Sequence, residues 1–239
     1  NMNYKKPLYC LIFILVSFSL LAHSFTDEEI ESLYKDMNLG KRIAFSAFKQ
    51  GIQGMERIHN RNNNVLTIVD FTKPSTEERL YIIDLDKKRI LVSSYVAHGM
   101  RTGDLYAKHF SNRKGTLKSS DGFFLTGESY KGKNGFSLRL YGLEHGRNNN
   151  AYARTLVIHA ANYAEQSFIN RYGRLGRSRG CLAVPRSENR KIIEYIRGGS
   201  VCYVHSEGLK YEKYTFLNMT MAEKREKSAE ALEAEAMES

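Results

Sequence analysis

Tryptophan is missing from the 239 residues, and only three prolines and three cysteines are present. With Cys10 inside an apolar run, the cysteines that a folded domain has left to join are Cys181 and Cys202, so at most one internal disulfide is possible. Zinc chemistry is poorly provided for. His98, His109 and His145 show no close ligand spacing and no paired acidic cluster, so no metal is expected. No repeat period is visible. Lysine and arginine are scattered along loops without a recognisable nucleic-acid module, which argues against a nucleic-acid partner. The longest apolar run, residues 8–21, falls short of the roughly 20 residues that a membrane span needs.

What is present at the N-terminus has a direction. Lys5 and Lys6 precede the apolar run, and Ala22-His23-Ser24 follows it as a small-residue site that a signal peptidase could cut. Residues 1–24 therefore read as an export signal, with an uncleaved anchor as the alternative, and the expected location is the periplasm or the cell envelope. The remaining 215 or so residues suffice for one substantial core with appendages. Formal charge is +10. The last segment, residues 222–239, carries three basic and six acidic residues, so the body before it is more basic still. An exported basic chain suits an acidic polymer of the envelope or an anionic membrane surface.

The pattern of apolar residues changes along the chain. Thr26 or Asp27 caps a first helix to about residue 38, ended by Gly40. A second helix over residues 41–59 places Ile43, Phe45, Ala47, Phe48, Ile52 and Met55 near one face. From residue 65 the period becomes extended, with strands expected over 65–71, 80–84, 89–96, 122–126, 137–141 and 154–159 and a terminal strand around Cys202. Helices are expected over 161–170 and 187–197. Strands thus dominate between two helical zones without regular βαβ alternation. The expected class is α+β, on a mixed or antiparallel sheet. The implied layout is a helical segment at 25–60, a strand-rich domain at 61–206, and a helical or flexible tail at 207–239.

One pairing of residue types names a reaction class. His159 ends the apolar run Leu156-Val157-Ile158-His159, and Cys181 lies downstream in Gly176-Arg177-Ser178-Arg179-Gly180-Cys181-Leu182-Ala183-Val184-Pro185. A free thiol with a pKa of roughly 8.5 is only slightly ionised at neutral pH, and a neighbouring imidazole activates it as a nucleophile. Glycine before the nucleophile permits backbone angles and close approaches that a side chain forbids. The amides of Gly180 and Cys181 could donate to a developing oxyanion. Ser178 either orients His159 or shapes the turn. The other reading of Cys181 is a structural thiol, buried or joined to Cys202.

His159 with Ser178-x-Gly180-Cys181 resembles the YkuD-type L,D-transpeptidase catalytic domain. So do further blocks in order: Val69-Asp70-Phe71-Thr72-Lys73-Pro74-Ser75, Tyr95-Val96-Ala97-His98-Gly99, Gly115-Thr116-Leu117-Lys118-Ser119-Ser120-Asp121-Gly122-Phe123 and Gly173-Arg174-Leu175-Gly176-Arg177-Ser178. Together these cover roughly residues 40–206. The resemblance implies a β-sandwich of that family, Cys181 as nucleophile, His159 as its base, and the Gly180 and Cys181 amides as the oxyanion hole. It also implies peptidoglycan stem peptides as partners, reactivity with carbapenems, and no cofactor. Relatives release a terminal D-alanine and pass the acyl group to an amine or to water, so an L,D-carboxypeptidase or endopeptidase shares the chemistry. A non-catalytic wall-binding protein is the reading from another class. Two positions depart from the wider family's pattern: Ser119-Ser120-Asp121-Gly122-Phe123-Phe124 lacks the usual proline, and Ala183 stands where Arg or Asn is common. Arg139, Arg177 and Arg179 are candidates for a stem carboxylate, because the guanidinium fork matches that group. Tyr130 is a candidate lid residue in a loop flanked by glycines.

Overall fold

The computed structural model of the protein describes residues 25–209; the apolar segment 1–24 and residues 210–239 of the tail lie outside the described residues. Helix α1, Asp27–Asp36, begins at Thr26. The Thr26 hydroxyl accepts from the Glu29 amide at 3.2 Å, and the Glu29 carboxylate accepts from the Thr26 amide at 2.8 Å. Two donors that the first turn leaves unpaired are thereby satisfied. Helix α2, Phe45–Glu56, is shorter at both ends than its periodicity predicts, with Ala44 extended and Arg57 closing it. Residues 39–43 turn instead, and the turn carries both Leu39 and Ile43 into the core. Phe45, expected on the inward face, stays partly exposed with its ring edge-on to Tyr34. Gly54 has a packing reason, since a Cβ there would lie 1.9 Å from the Phe123 ring. Glycine lets helix and sheet approach, which offsets its cost of about 1 kcal/mol in a helix.

Eight strands follow: β1 Val65–Asp70, β2 Leu80–Asp84, β3 Arg89–Ser94, β4 Gly122–Gly132, β5 Gly135–Gly142, β6 Val157–Ala160, β7 Leu182–Val184 and β8 Val201–His205. They form one mixed sheet in the order β3-β2-β1-β8-β4-β5-β6-β7. The pairs β1–β8 and β6–β7 are parallel and the others antiparallel. The α+β class with a mixed sheet is as the sequence leads one to expect. Strand β8 sits in the middle and, among the described strands, is the one paired with both β1 and β4.

Several boundaries differ from expectation. Strand β4 continues to Gly132 and pairs with β5 as a long hairpin, so Tyr130 lies on a strand opposite Ser137 and not in a loop. Strand β6 begins at Val157, because residues 148–155 are turns and Thr155 takes φ +53°. The helix expected over 161–170 is broken at Glu165, which is extended. A 3-10 turn, Asn162–Ala164, precedes it and helix α3, Gln166–Tyr172, follows. Strand β7 has no counterpart in the sequence reading, since three residues are too few to show a period. Helix α4, Arg186–Ile196, starts directly after Pro185, whose fixed φ suits a helix start.

The two sheet faces build two cores. Leu66, Ile68, Tyr81, Ile83, Phe123 and Tyr203 pack against α1 and α2. On the opposite face Leu80, Ile82, Phe124, Leu138, Ile158, Leu182 and Cys202 pack around Ile192, Ile193 and Ile196 of α4. Helix α4 contacts β1, β2, β5 and β6, so the sheet wraps about it. The wrapping brings the ends of the sheet together. Ala97, just past β3, donates to the Ala183 carbonyl of β7 at 2.7 Å and accepts from its amide at 3.2 Å.

Candidate active site

The sheet register decides which side chains meet. Ile158 lies opposite Leu182 and His159 opposite Ala183 on the parallel strands β6 and β7. Because side chains alternate, Ile158 and Leu182 enter the α4 core while His159 and Ala183 take the other face, and Cys181 lies in the bend one residue before β7. The same face continues onto β5, where Ser137 pairs with His159 and Arg139 with Val157. The imidazole and one candidate arginine therefore share a face of neighbouring strands, with the thiol at the entry to β7.

His159 is buried, and its Nδ1–H donates to the Ala160 carbonyl at 2.9 Å. A carbonyl can only accept, so Nδ1 carries the proton and Nε2 keeps its lone pair. Burial holds the imidazole below its usual value, opposed by that hydrogen bond, and the ring is neutral at pH 7. Cys181 is half-buried. Burial pushes its thiol up, while the Val157 amide, the Arg154 guanidinium and its own amide pull it down. The sulfhydryl donates to the Thr155 carbonyl at 3.5 Å. At rest the thiol and the imidazole are both neutral, and each is hydrogen-bonded to backbone. Catalytic hydrogen bonds are often absent or long before substrate binds, and an imidazole with a free Nε2 can accept a thiol proton.

The turn that carries Cys181 is tightly held. Ser178 Oγ donates to the Cys181 carbonyl at 2.6 Å and accepts from the Gly180 amide at 3.0 Å. Ser178 therefore shapes the turn and does not touch His159. The Gly180 amide, expected to face an oxyanion, donates to Ser178 in the resting arrangement. Gly180 itself has φ +127°, and a Cβ would stand 2.9 Å from the Lys118 carbonyl oxygen. Ser119 Oγ accepts from the Gly99 amide and donates to the Gly180 carbonyl, both at 2.9 Å. The Ser178 amide in turn donates to the His98 carbonyl at 2.8 Å.

The candidate substrate-binding residues fall into different settings. The Arg139 guanidinium stands 2.5 Å from Glu128 and lies over the rings of Tyr130 at 4.5 Å and Tyr152 at 5.2 Å. Tyr141 stacks on Tyr152 and donates to Glu128 at 3.0 Å. Arg139 and Tyr130 are thus in contact, in an aromatic cluster on the His159 face of the sheet. Arg177 is paired with Asp104 at 2.5 Å, and Arg179 is exposed. Cys202 is fully buried in β8, its thiol pushed up to about 12 by burial. Both Cys181 and Cys202 are free thiols. Among the described residues, no group of three or more His, Cys, Asp or Glu side chains could hold a metal ion.

Sequence reasoning passed over three residues that shape this site. Arg154 and Thr155 lie in the turn before β6, and Tyr163 lies in the 3-10 turn, its phenol raised to about 12 by burial and then by the nearby Cys181. Their only signal was adjacency to the strand that ends in His159.

A family model for the L,D-transpeptidase catalytic domain matches residues 39–205, well over half of the chain. Similar solved structures include an L,D-transpeptidase from Mycobacterium smegmatis, 12% identical with a TM-score of 0.37 over 60% of this chain and 59% of that one. The helical cell shape determining protein Pgp2 from Campylobacter jejuni is 16% identical, with a TM-score of 0.41 over 66% of this chain and 54% of that one. The LD transpeptidase LdtMt1 in complex with imipenem is 10% identical, with a TM-score of 0.37 over 60% and 59%. The chain spans less than two thirds of the length of these structures. No curated protein matches it. With the matched region running from the end of α1 through β8 and enclosing both His159 and Cys181, the chain belongs to the L,D-transpeptidase catalytic domain family.

Proposed function

We propose that the protein is an exported cysteine L,D-transpeptidase that acts on peptidoglycan stem peptides through a thioester on Cys181. The observation that carries this reading is a neutral His159 on β6 with Cys181 at the entry to the adjacent strand β7, both within the region matched by the family. His159 Nε2 takes the thiol proton as Sγ attacks the carbonyl of the stem's third residue. The resulting oxyanion is met by the Cys181 amide, which Ser178 leaves unoccupied. Collapse of the tetrahedral intermediate breaks the L,D peptide bond, and the imidazolium returns the proton to the departing D-alanine amine. An amine of a neighbouring stem then attacks the thioester, forming a crosslink and releasing the thiol. Because the acyl-enzyme stores the energy of the broken bond, no nucleotide is consumed. Arg139 and Tyr130, on the His159 face of the sheet, are the favoured contacts for the stem, ahead of Arg177, which is occupied by Asp104. Residues 1–24 direct export to the periplasm or envelope.

The test is incubation of the purified protein with tetrapeptide muropeptides, with mass analysis of products. Crosslinked dimers that vanish in Cys181→Ala are the expected result. Tripeptides alone would replace transpeptidation by hydrolysis, and turnover unchanged in Cys181→Ala would sink the thioester altogether. A carbapenem should add its mass to the tryptic peptide carrying Cys181, and more slowly in His159→Asn.

A further inference from the structure

Arg154 lies near the end of the turn that leads into β6, and both terminal nitrogens of its guanidinium are hydrogen-bonded. It donates to the Ser111 carbonyl, to Ser120 Oγ at 2.6 Å and to the Lys118 carbonyl at 2.6 Å. All three acceptors are neutral. A half-buried cation is thus held by neutral dipoles, leaving its charge for something else nearby.

The segment that it grips is the wall behind the nucleophile turn. The Lys118 carbonyl is the atom that a Cβ on Gly180 would strike, at 2.9 Å, and Ser119 Oγ is hydrogen-bonded to the Gly180 carbonyl. On its other side Arg154 is followed directly by Thr155, a non-glycine residue at φ +53° whose carbonyl accepts from Cys181 Sγ. One side chain therefore fixes two surfaces that meet at the thiol.

We propose that Arg154 is the positioning residue of the Cys181 thiol: it fastens residues 111–120 behind the Gly180–Cys181 turn, aims the Thr155 carbonyl at the sulfur, and supplies the cation that favours the thiolate. The proposal rests on the reading of Cys181 as the nucleophile. It explains a need that the resting site leaves open, since burial disfavours the thiolate and a neutral His159 gives it no charge. The influence is mutual, for Arg154 lowers the thiol's pKa and the thiolate raises that of Arg154. Tyr163, which also feels the charge on Cys181, is held protonated at neutral pH. Among the described residues, Arg154 is then the charged side chain that acts on Cys181.

The experiment uses the full chain and needs no peptidoglycan. Iodoacetamide alkylation of Cys181 is followed by peptide mass analysis from about pH 6 to about pH 10, a range that brackets an ordinary thiol. Cys202, buried in β8, serves as the internal control, and circular dichroism checks folding. In Arg154→Met the profile should move to higher pH by about one unit, slowing alkylation at neutral pH about tenfold. Arg154→Lys should keep most of the wild-type profile, because it keeps the charge, yet lose muropeptide turnover, because an ammonium cannot reproduce the forked contacts. A folded Arg154→Met protein with the wild-type profile overturns the proposal. If that variant does not fold, Arg154→Lys decides: wild-type profile together with wild-type turnover overturns it equally. A shifted profile in a protein whose wild type turns over no muropeptide would uphold Arg154 and refute the transpeptidase instead.

Discussion

His98 should make the fold acid-sensitive by a calculable amount. The ring is 1% exposed. Its Nδ1 accepts from Arg79 Nη2 at 2.8 Å and its Nε2–H donates to the Gly103 carbonyl at 3.1 Å. Arg79 is itself fully buried and also donates to the carbonyls of Val96 and Lys73. A second proton on the ring would remove the acceptor that Arg79 uses and set two cations side by side. Burial first, and the guanidinium second, accordingly drive the imidazole from 6.5 to about 4. The unfolded chain takes up this proton near 6.5 and the folded chain near 4, so in that window the unfolded state binds more protons. Stability is then complete above 6.5 and falls as pH drops towards 4, by roughly 3 kcal/mol in total. His98→Gln retains an amide oxygen and an amide N–H but does not titrate. Urea unfolding at about pH 7 and about pH 4 measures the effect. The wild type should lose roughly 3 kcal/mol more than the variant between the two conditions. His159 and His205 are also held low, and their contributions cancel in the comparison. Parallel losses in the two proteins would refute the reasoning, whatever their absolute stabilities.

Two further substitutions test the nucleophile turn. Gly180→Ala forces a side chain onto φ +127° and against the Lys118 carbonyl, and should cost about 2–3 kcal/mol; an unchanged thermal midpoint would contradict the turn geometry. Ser119→Ala strands a buried amide at Gly99 and a buried carbonyl at Gly180. It should cost about 1–3 kcal/mol and loosen Cys181, seen as lower stability together with slower carbapenem acylation.

The elements that were legible in the sequence are those whose signal is local. Thr26 and Glu29 announce the start of α1, and the alternation in residues 65–96 announces β1 to β3. Their boundaries follow from caps and period alone. Of the candidate site, the sequence makes legible the residue types, Cys181 after a glycine and His159 at a strand end. Their support is not legible there. Lys118 and Ser119 meet Gly180, and Arg154 meets Lys118, only through tertiary contacts between residues 36 or more apart. Nothing in the spacing of those residues distinguishes them from ordinary loop residues. Ser178 shows the same limit from the other side. A hydroxyl two residues before a glycine fits both a turn and a histidine partner, and only the bonds to Gly180 and Cys181 choose between them. Strand β7 escaped because its three residues owe their conformation to β6 and to Ala97 rather than to any periodicity of their own.

The central place of β8 has a consequence for how the chain acquires its structure. Leu66 pairs with Val201, and Phe124 with Cys202, so the last strand of the domain closes loops of about 135 and about 78 residues at once. Until it arrives, the two halves of the sheet each present an open hydrogen-bonding edge. Folding must therefore be slow and late for a domain of this size, with its decisive step held back until residue 205 has been made. A chain cut short before Val201 would retain every residue proposed for catalysis and still lack the strand that joins the sheet, which makes it a substrate for proteases and aggregation rather than a weakened enzyme.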